Sequence, residues 1–226
     1  MKIPLFIEVF GETAVGKSHF AASMPRPLII DTTPKAESYV PARKVLGGEI
    51  KNRWFQCRSL KQVRVVLEQN LRRDDVATVV FDTSTDLVQL AKEEWLKEKG
   101  RERPLPFEYA EIYSKVDELI NKVFEAKKNL VFTAIMKDEY IETVEGTKKT
   151  GRRVRSGYVK SPFMVDILIK ISLVQKGDKI ERIYKVLKNR FRDMTGDEWI
   201  SQLDVSEGLW KGIVKLTGYS EEELIT

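Results

Sequence analysis

Apolar and polar positions follow two regimes along the chain. In the first, short unbroken apolar runs alternate with stretches of helical period. Residues 5–10 (LFIEVF) read as a strand running into a Gly-containing turn, and residues 19–24 continue a helix that Pro25 stops. Second and third strands are expected at 27–31 and 53–57, with a helix at 36–46 between them. Over 59–71, Leu60, Val63, Val66, Leu67 and Leu71 share one helical face behind Ser59, a residue type that caps helices. Residues 76–82 (VATVVFD) are apolar almost to their end, the pattern of a strand buried on both faces. Two long helices are predicted over 84–99 and 108–128, separated by GRERPLPF, before a fifth strand at 129–136. Strands alternating with helices predict an α/β fold, a mostly parallel sheet flanked by helices.

The second regime alternates with period two. Residues 137–161 predict a protruding basic hairpin around a Gly-containing turn. Residues 166–175 and 180–188, joined by KGDK, predict an antiparallel pair that extends the main sheet, and a short helix over 206–217 closes the chain. No repeat or linker interrupts the pattern, so one domain spanning 1–226 is expected.

Composition narrows the classes. Of 226 residues, 42% are hydrophobic, enough for a core and against global disorder. No run approaches 18 apolar residues, so no transmembrane helix and no membrane partner are expected. The N-terminus lacks the small-residue cleavage site of a signal peptide. The single cysteine, Cys57, excludes an intrachain disulfide framework, and the single histidine, His19, argues against a zinc site. A cytoplasmic protein is expected. The net charge of +5 permits a polyanionic partner without requiring one.

The strongest chemical signal is GETAVGKS: Gly11, Glu12, Thr13, Ala14, Val15, Gly16, Lys17 and Ser18. It satisfies G-x-x-x-x-G-K-[ST] between a strand and a helix, the setting of a phosphate-binding loop for ATP. Gly11 and Gly16 let successive N–H groups turn inward, and with the helix N-terminus these cradle phosphate. Lys17 reaches the outer phosphate oxygens, and the Ser18 hydroxyl suits Mg²⁺. Asp82, at the end of the fourth strand, is a second candidate. It can hold Mg²⁺ through water, or cap the helix that follows. Lys188 and Arg190 in KNR are spaced to face one side of a strand. They could reach a neighbouring subunit's γ-phosphate, although on spacing alone a solvated basic strand end accounts for them.

In this order the P-loop, VVFD and KNRF resemble the RecA-like ATPase superfamily, over roughly residues 3–195. KNRF is similar to a motif of bacterial RadA/Sms proteins and to the K-x-R finger of replicative helicases and KaiC. The short chain resembles the core-only members, the phage-type Sak single-strand annealing proteins and archaeal RadA-like paralogues. The resemblance implies a P-loop strand between the Walker B strand and the fifth strand. It also implies Mg²⁺ and ATP (or ADP) at a subunit interface of a homo-oligomeric ring or filament, with Lys188 and Arg190 acting in trans. Where the family has a catalytic Glu, this chain offers Asp31 first and Glu37 later. The T-N-Q sensor position reads TAI, keeping Thr133 and placing Ile135 where Gln is usual.

In that superfamily a DNA-binding loop follows the fifth strand. Here the matching segment carries Lys148, Lys149, Arg152, Arg153, Arg155 and Lys160, with Tyr158 to stack on an unpaired base. A solvated loop is the plainer reading of such a charge run. The expected activity is ATP binding and hydrolysis coupled to single-stranded DNA in recombination, annealing or repair. Two competitors stand beside it. One is a small-molecule kinase using the Arg-rich hairpin as a lid. The other is a KaiC-like regulator that binds ATP to assemble and scarcely turns over.

Overall fold

A computed structural model describes residues 2–34, 53–143, 146–192 and 201–226. The predicted helix at 36–46 and Glu37 lie outside the described residues. In chain order the strands are β1 (Phe6–Gly11), β2 (Pro27–Asp31), β3 (Trp54–Gln56), β4 (Thr78–Asp82), β5 (Asn129–Thr143), β6 (Gly146–Ser156), β7 (Ile167–Lys176), β8 (Lys179–Asn189) and β9 (Ser201–Gln202). The helices are α1 (Lys17–Ala22), α2 (Leu60–Asn70), α3 (Ser84–Lys99), α4 (Tyr109–Glu125), α5 (Ser161–Met164) and α6 (Leu209–Thr217).

All nine strands join one sheet in the order β3-β2-β4-β5-β1-β7-β8-β9, with β6 paired to β5. The pairs from β3 through β7 are parallel, while β5–β6, β7–β8 and β8–β9 are antiparallel. This is the expected α/β architecture with antiparallel extensions. Its strand order departs from expectation. The P-loop strand β1 lies between β5 and β7, and β5 separates it from β4. The inner residues of β5, Asn129–Ala134, are buried throughout, so β5 needs a parallel neighbour and a helix layer on each side, which the slot between β4 and β1 supplies.

Two apolar layers cover the sheet. On one face Ile7 and Val9 of β1 pack with Phe20 and Ala21 of α1 and Ile213 of α6. On the other, α2, α3 and α4 bury Leu60, Leu67, Leu87, Trp95, Val116 and Ile120 against β4 and β5. Local chemistry sets the helix ends. The Ser59 hydroxyl accepts a bond from the Gln62 amide at the start of α2 (3.3 Å), and the Thr83 hydroxyl accepts one from the Asp86 amide at the start of α3 (3.1 Å). Gly100, in the left-handed region at φ 62°, ends α3. The cap of α3 is therefore Thr83, which leaves Asp82 free of that duty. Among the described residues no helix is long and apolar enough to cross a membrane.

The hairpin also differs from its expected form. β5 does not stop at residue 136 but runs unbroken for 15 residues, and its outer half pairs with β6 from Ile135↔Ser156 to Thr143↔Gly146. β6 starts at Gly146, and Gly151 lies within it. Beyond Ser156 the chain turns back into the core. A Cβ on Gly157 would crowd the Ser84 hydroxyl at 2.7 Å and Ala134 at 2.9 Å, so only glycine lets this return approach α3 and β5 so closely.

Candidate nucleotide-binding site

Parallel pairing aligns the C-terminal ends of β1, β5, β4 and β2 in a row. Gly11 pairs with Ile135, Val9 with Thr133, Phe81 with Phe132, and Asp82 with Asp31. The row brings the P-loop, Thr133, Asp82 and Asp31 to one edge, where ligands of open α/β sheets bind.

The P-loop achieves its curve by a different route from the one expected. Gly16 is left-handed (φ 99°), and its partner in that region is Ala14 (φ 63°) rather than Gly11. Alternation of this kind turns backbone N–H groups toward a common concavity. Gly11 has a packing duty instead: a Cβ there would collide with the Ile171 carbonyl oxygen of β7. Val15 is buried against the β7–β8 side, while Glu12, Thr13 and Ala14 face outward.

Lys17 is buried, and its ammonium donates to the Gly11 and Glu12 carbonyls at 3.1 and 2.6 Å. Burial lowers its pKa, while Asp82 and Glu12 act in the opposite sense. Asp82 is fully buried at the end of β4. Burial raises its pKa, opposed by the neighbouring Ser18 and Thr133 hydroxyls and by Lys17. The Thr133 hydroxyl donates to Asp82 Oδ1, while Asp82 Oδ2 has no hydrogen-bond partner. An orphaned carboxylate oxygen beside the P-loop serine is what a water of a Mg²⁺ shell would satisfy, so the residues fit Mg²⁺ with a nucleotide. No cluster of three or more His, Cys, Asp or Glu side chains suited to a metal occurs among the described residues, so phosphate oxygens and water must complete the shell.

Asp31 stands next to Asp82, and both its oxygens are engaged. Oδ1 accepts from the Thr33 amide and hydroxyl (3.0 and 2.6 Å), and Oδ2 accepts from the Trp54 indole at 3.2 Å. Those bonds tie the end of β2 to β3. Ile135 is partly exposed on the outer side of Thr133.

Lys188 and Arg190 come together away from this edge. Lys188 donates to the Pro162 carbonyl at 2.8 Å, and Arg190 donates to the Phe163 carbonyl at 3.0 Å and pairs with Asp166 at 3.1 Å. Asn189 pairs with Ile167, four residues before the Ile171 that faces Gly11, or about 13 Å along the strand. The two cations are thus at the opposite end of the sheet from their own P-loop.

The basic segment resolves into residues with different partners. Arg152 and Lys148 are exposed on β6. Lys149 pairs with Asp138 at 2.7 Å, and Arg153 pairs with the P-loop's Glu12 at 2.6 Å. Lys160 pairs with Asp117 of α4 at 2.5 Å. Arg155 turns inward to Glu8 at 2.7 Å, so it does not face a ligand. Tyr158 corrects its expected role outright. It is fully buried between Tyr113 and Phe132, with its hydroxyl donating to Asp117, and cannot stack on a base. The exposed aromatic of the hairpin is Tyr140 on β5.

Sequence reasoning missed two residues. Glu8 is a fully buried carboxylate in the middle of β1, held by Arg155 and the Ser161 hydroxyl. An acid inside LFIEVF was its visible signal, since a buried charge implies a partner. Arg182, on β8, lies over the P-loop, and nothing in the alternating run IERIYK marked it. Cys57 is buried, its thiol pushed up to about 11 chiefly by burial, in keeping with a packing role.

Residues 4–192 match the AAA domain family AAA_24. No curated protein matches the chain. Among solved structures, a KaiC-like protein from the hyperthermophilic archaeon Pyrococcus horikoshii OT3 superposes with a TM-score of 0.55 at 14% identity, covering 91% of this chain and 87% of that one. The likeness is one of fold: a RecA-type P-loop sheet with antiparallel strands added.

Proposed function

The chain belongs to the AAA_24 family of AAA domains, and on that premise we propose a Mg²⁺-dependent ATPase of the core-only RadA/Sak type that acts on single-stranded DNA. The observation that carries the ATP part is the convergence of Lys17, Ser18 and Thr133 on Asp82, whose Oδ2 lacks a partner. The P-loop amides and Lys17 bind the phosphates. Ser18, directly, and Asp82, through water, would hold Mg²⁺, which supplies charge neutralisation for phosphoryl transfer. Lys17 must leave the Gly11 and Glu12 carbonyls to reach phosphate, and its low-dielectric setting strengthens that contact. Lys17→Ala is expected to weaken Mg-ATP binding about 100-fold, read by titration with a fluorescent ATP analogue, in line with about 1.5–3 kcal/mol for a charge-assisted bond.

The nucleic-acid part rests on the ribbon β5–β6, where Lys148 and Arg152 on β6 and Tyr140 on β5 are exposed. Cations on one strand and an aromatic on the other suit an unpaired, stacked strand. Steady-state ATP hydrolysis with and without single-stranded DNA, at two salt concentrations and with Lys17→Ala as blank, tests the whole reading. Stimulation that fades with salt is the expected result; turnover indifferent to DNA would remove the DNA part and leave the ATPase. Arg152→Ala is expected to lower the salt slope of DNA binding by about 0.7, measured by anisotropy.

Lys188 and Arg190 act, in this reading, on the ATP of the next subunit, since their own P-loop is out of reach; a homo-oligomer follows. A second reading is favoured by one observation. Both oxygens of Asp31 are occupied by Thr33 and Trp54, which suits a regulator that binds ATP to assemble and turns over slowly. ATP-dependent oligomerisation without DNA-stimulated hydrolysis would select it.

A further inference from the structure

The nucleotide pocket proposed above has a cation of its own chain that neither the P-loop motif nor KNR includes. Arg182 projects from β8 on the same face as Tyr184, whose ring packs near Phe20 of α1. That packing sets the face of β8 against the P-loop helix and delivers Arg182, two residues before, to the loop itself. Its Nε donates to the Val15 carbonyl at 2.6 Å. The guanidinium occupies the space a Gly16 side chain would take: a Cβ there would lie 2.7 Å from Cζ and Nε and 2.9 Å from Nη2. Gly16 is required by its left-handed backbone, and the arginine end rests in the space above it.

Among the described residues, Nε alone makes a bond, and no acid pairs with this side chain. An unneutralised guanidinium with both amino groups uncommitted, next to a loop that gathers N–H groups around an anion, is chemically matched to phosphate oxygens. We propose that Arg182 binds the phosphates of the nucleotide in cis, with Nε anchoring it to the loop and the amino groups contacting the ligand. The inference rests on the nucleotide reading of this site. It gives the pocket an arginine before any neighbouring subunit arrives, so a lone subunit meets the phosphates with two cations, Lys17 and Arg182.

The test is a titration of the full chain with a fluorescent ATP analogue and Mg²⁺, for wild type, Lys17→Ala, Arg182→Ala and Arg182→Lys, with the nucleotide-free melting temperature of each. Arg182→Ala is expected to weaken binding about tenfold and to flatten its salt dependence, with a melting temperature close to wild type. Arg182→Lys, which keeps the charge, is expected to recover part of the loss. Affinity unchanged in Arg182→Ala overturns the proposal. So does a loss that tracks a fall in melting temperature and is not relieved by Lys, since that pattern belongs to a tether of the Val15 carbonyl alone. Wild-type protein without Lys17-dependent binding overturns the nucleotide reading itself, and the role of Arg182 with it.

Discussion

Asp82→Asn is expected to cut Mg-ATP turnover about 10²–10³-fold while raising the melting temperature of the nucleotide-free protein at neutral pH. The two effects have one cause. Asp82 is fully buried, and burial outweighs the hydroxyls and the lysine that favour its charged form, so its pKa is raised. In the unfolded chain the carboxyl titrates near about 3.9. A raised folded value means that the favourable contribution is complete below that pH and is lost as pH rises through the folded value. Ionised Asp82 therefore costs stability at neutral pH in the absence of ligand. Asparagine keeps the shape and does not titrate. The melting-temperature gap between variant and wild type is expected to widen from pH 4.5 to 8, and a gap independent of pH would show that Asp82 is not held charged at a cost. Mg-ATP is expected to raise the wild-type melting temperature more than that of the variant, because the group whose charge was costly is then the one that is used.

Arg155→Ala is expected to destabilise the fold by about 3 kcal/mol, a fall of about 6–12 °C in melting temperature for a chain of this size. Arg155 is mostly buried and Glu8 wholly so, and they pair at 2.7 Å with the Ser161 hydroxyl and the Tyr158 carbonyl around them. Removing the guanidinium strands a carboxylate inside the sheet layer. The pKa of Glu8 is already raised by burial despite Arg155, so the stranded acid takes up a proton more readily still. The penalty is expected to shrink as pH falls toward the ordinary carboxylate range, where Glu8 is neutral in both proteins. Denaturation at pH 5 and pH 8 measures this, and an equal penalty at both would mean that packing, not charge, carries the loss. The return segment from β6 through Tyr158 to α5 depends on the pair, so proteolysis there is expected to rise first.

The parts of this fold that were legible in sequence are those governed by local rules. The strand–loop–helix around Lys17, the cap at Ser59, and the buried run before Asp82 each carry their own signal within a few residues. Strand order does not, because β1, β4 and the inner half of β5 are all buried on both faces and nothing local ranks them; the family analogy placed β1 wrongly for that reason. The extent of β5 was hidden because its outer half is exposed and polar, so its pairing with β6, not a core, holds it extended. The basic segment was misjudged as a unit. Arg153 and Arg155, two apart, share one face of β6 but lie at different depths along it, so Arg153 meets the P-loop's Glu12 while Arg155, nearer the core, meets the buried Glu8. Arg182 was invisible because its meaning lies in a register, the alignment of β8 over a loop 166 residues away from it at Gly16.

The 15 residues of β5 join two places usually separated by a loop. Thr133, near its start, touches Asp82, and Thr143, at its end, meets the tip of the ribbon. Ten residues of extended chain make a beam of about 33 Å with one joint, the change of register between Asp138 and Tyr140. Load applied at either end travels through peptide bonds and a ladder, not through a hinge. The ribbon is consequently not a cassette: exchanging or shortening it cuts into the floor of the pocket, and a transplant between relatives succeeds only if the splice falls beyond that joint.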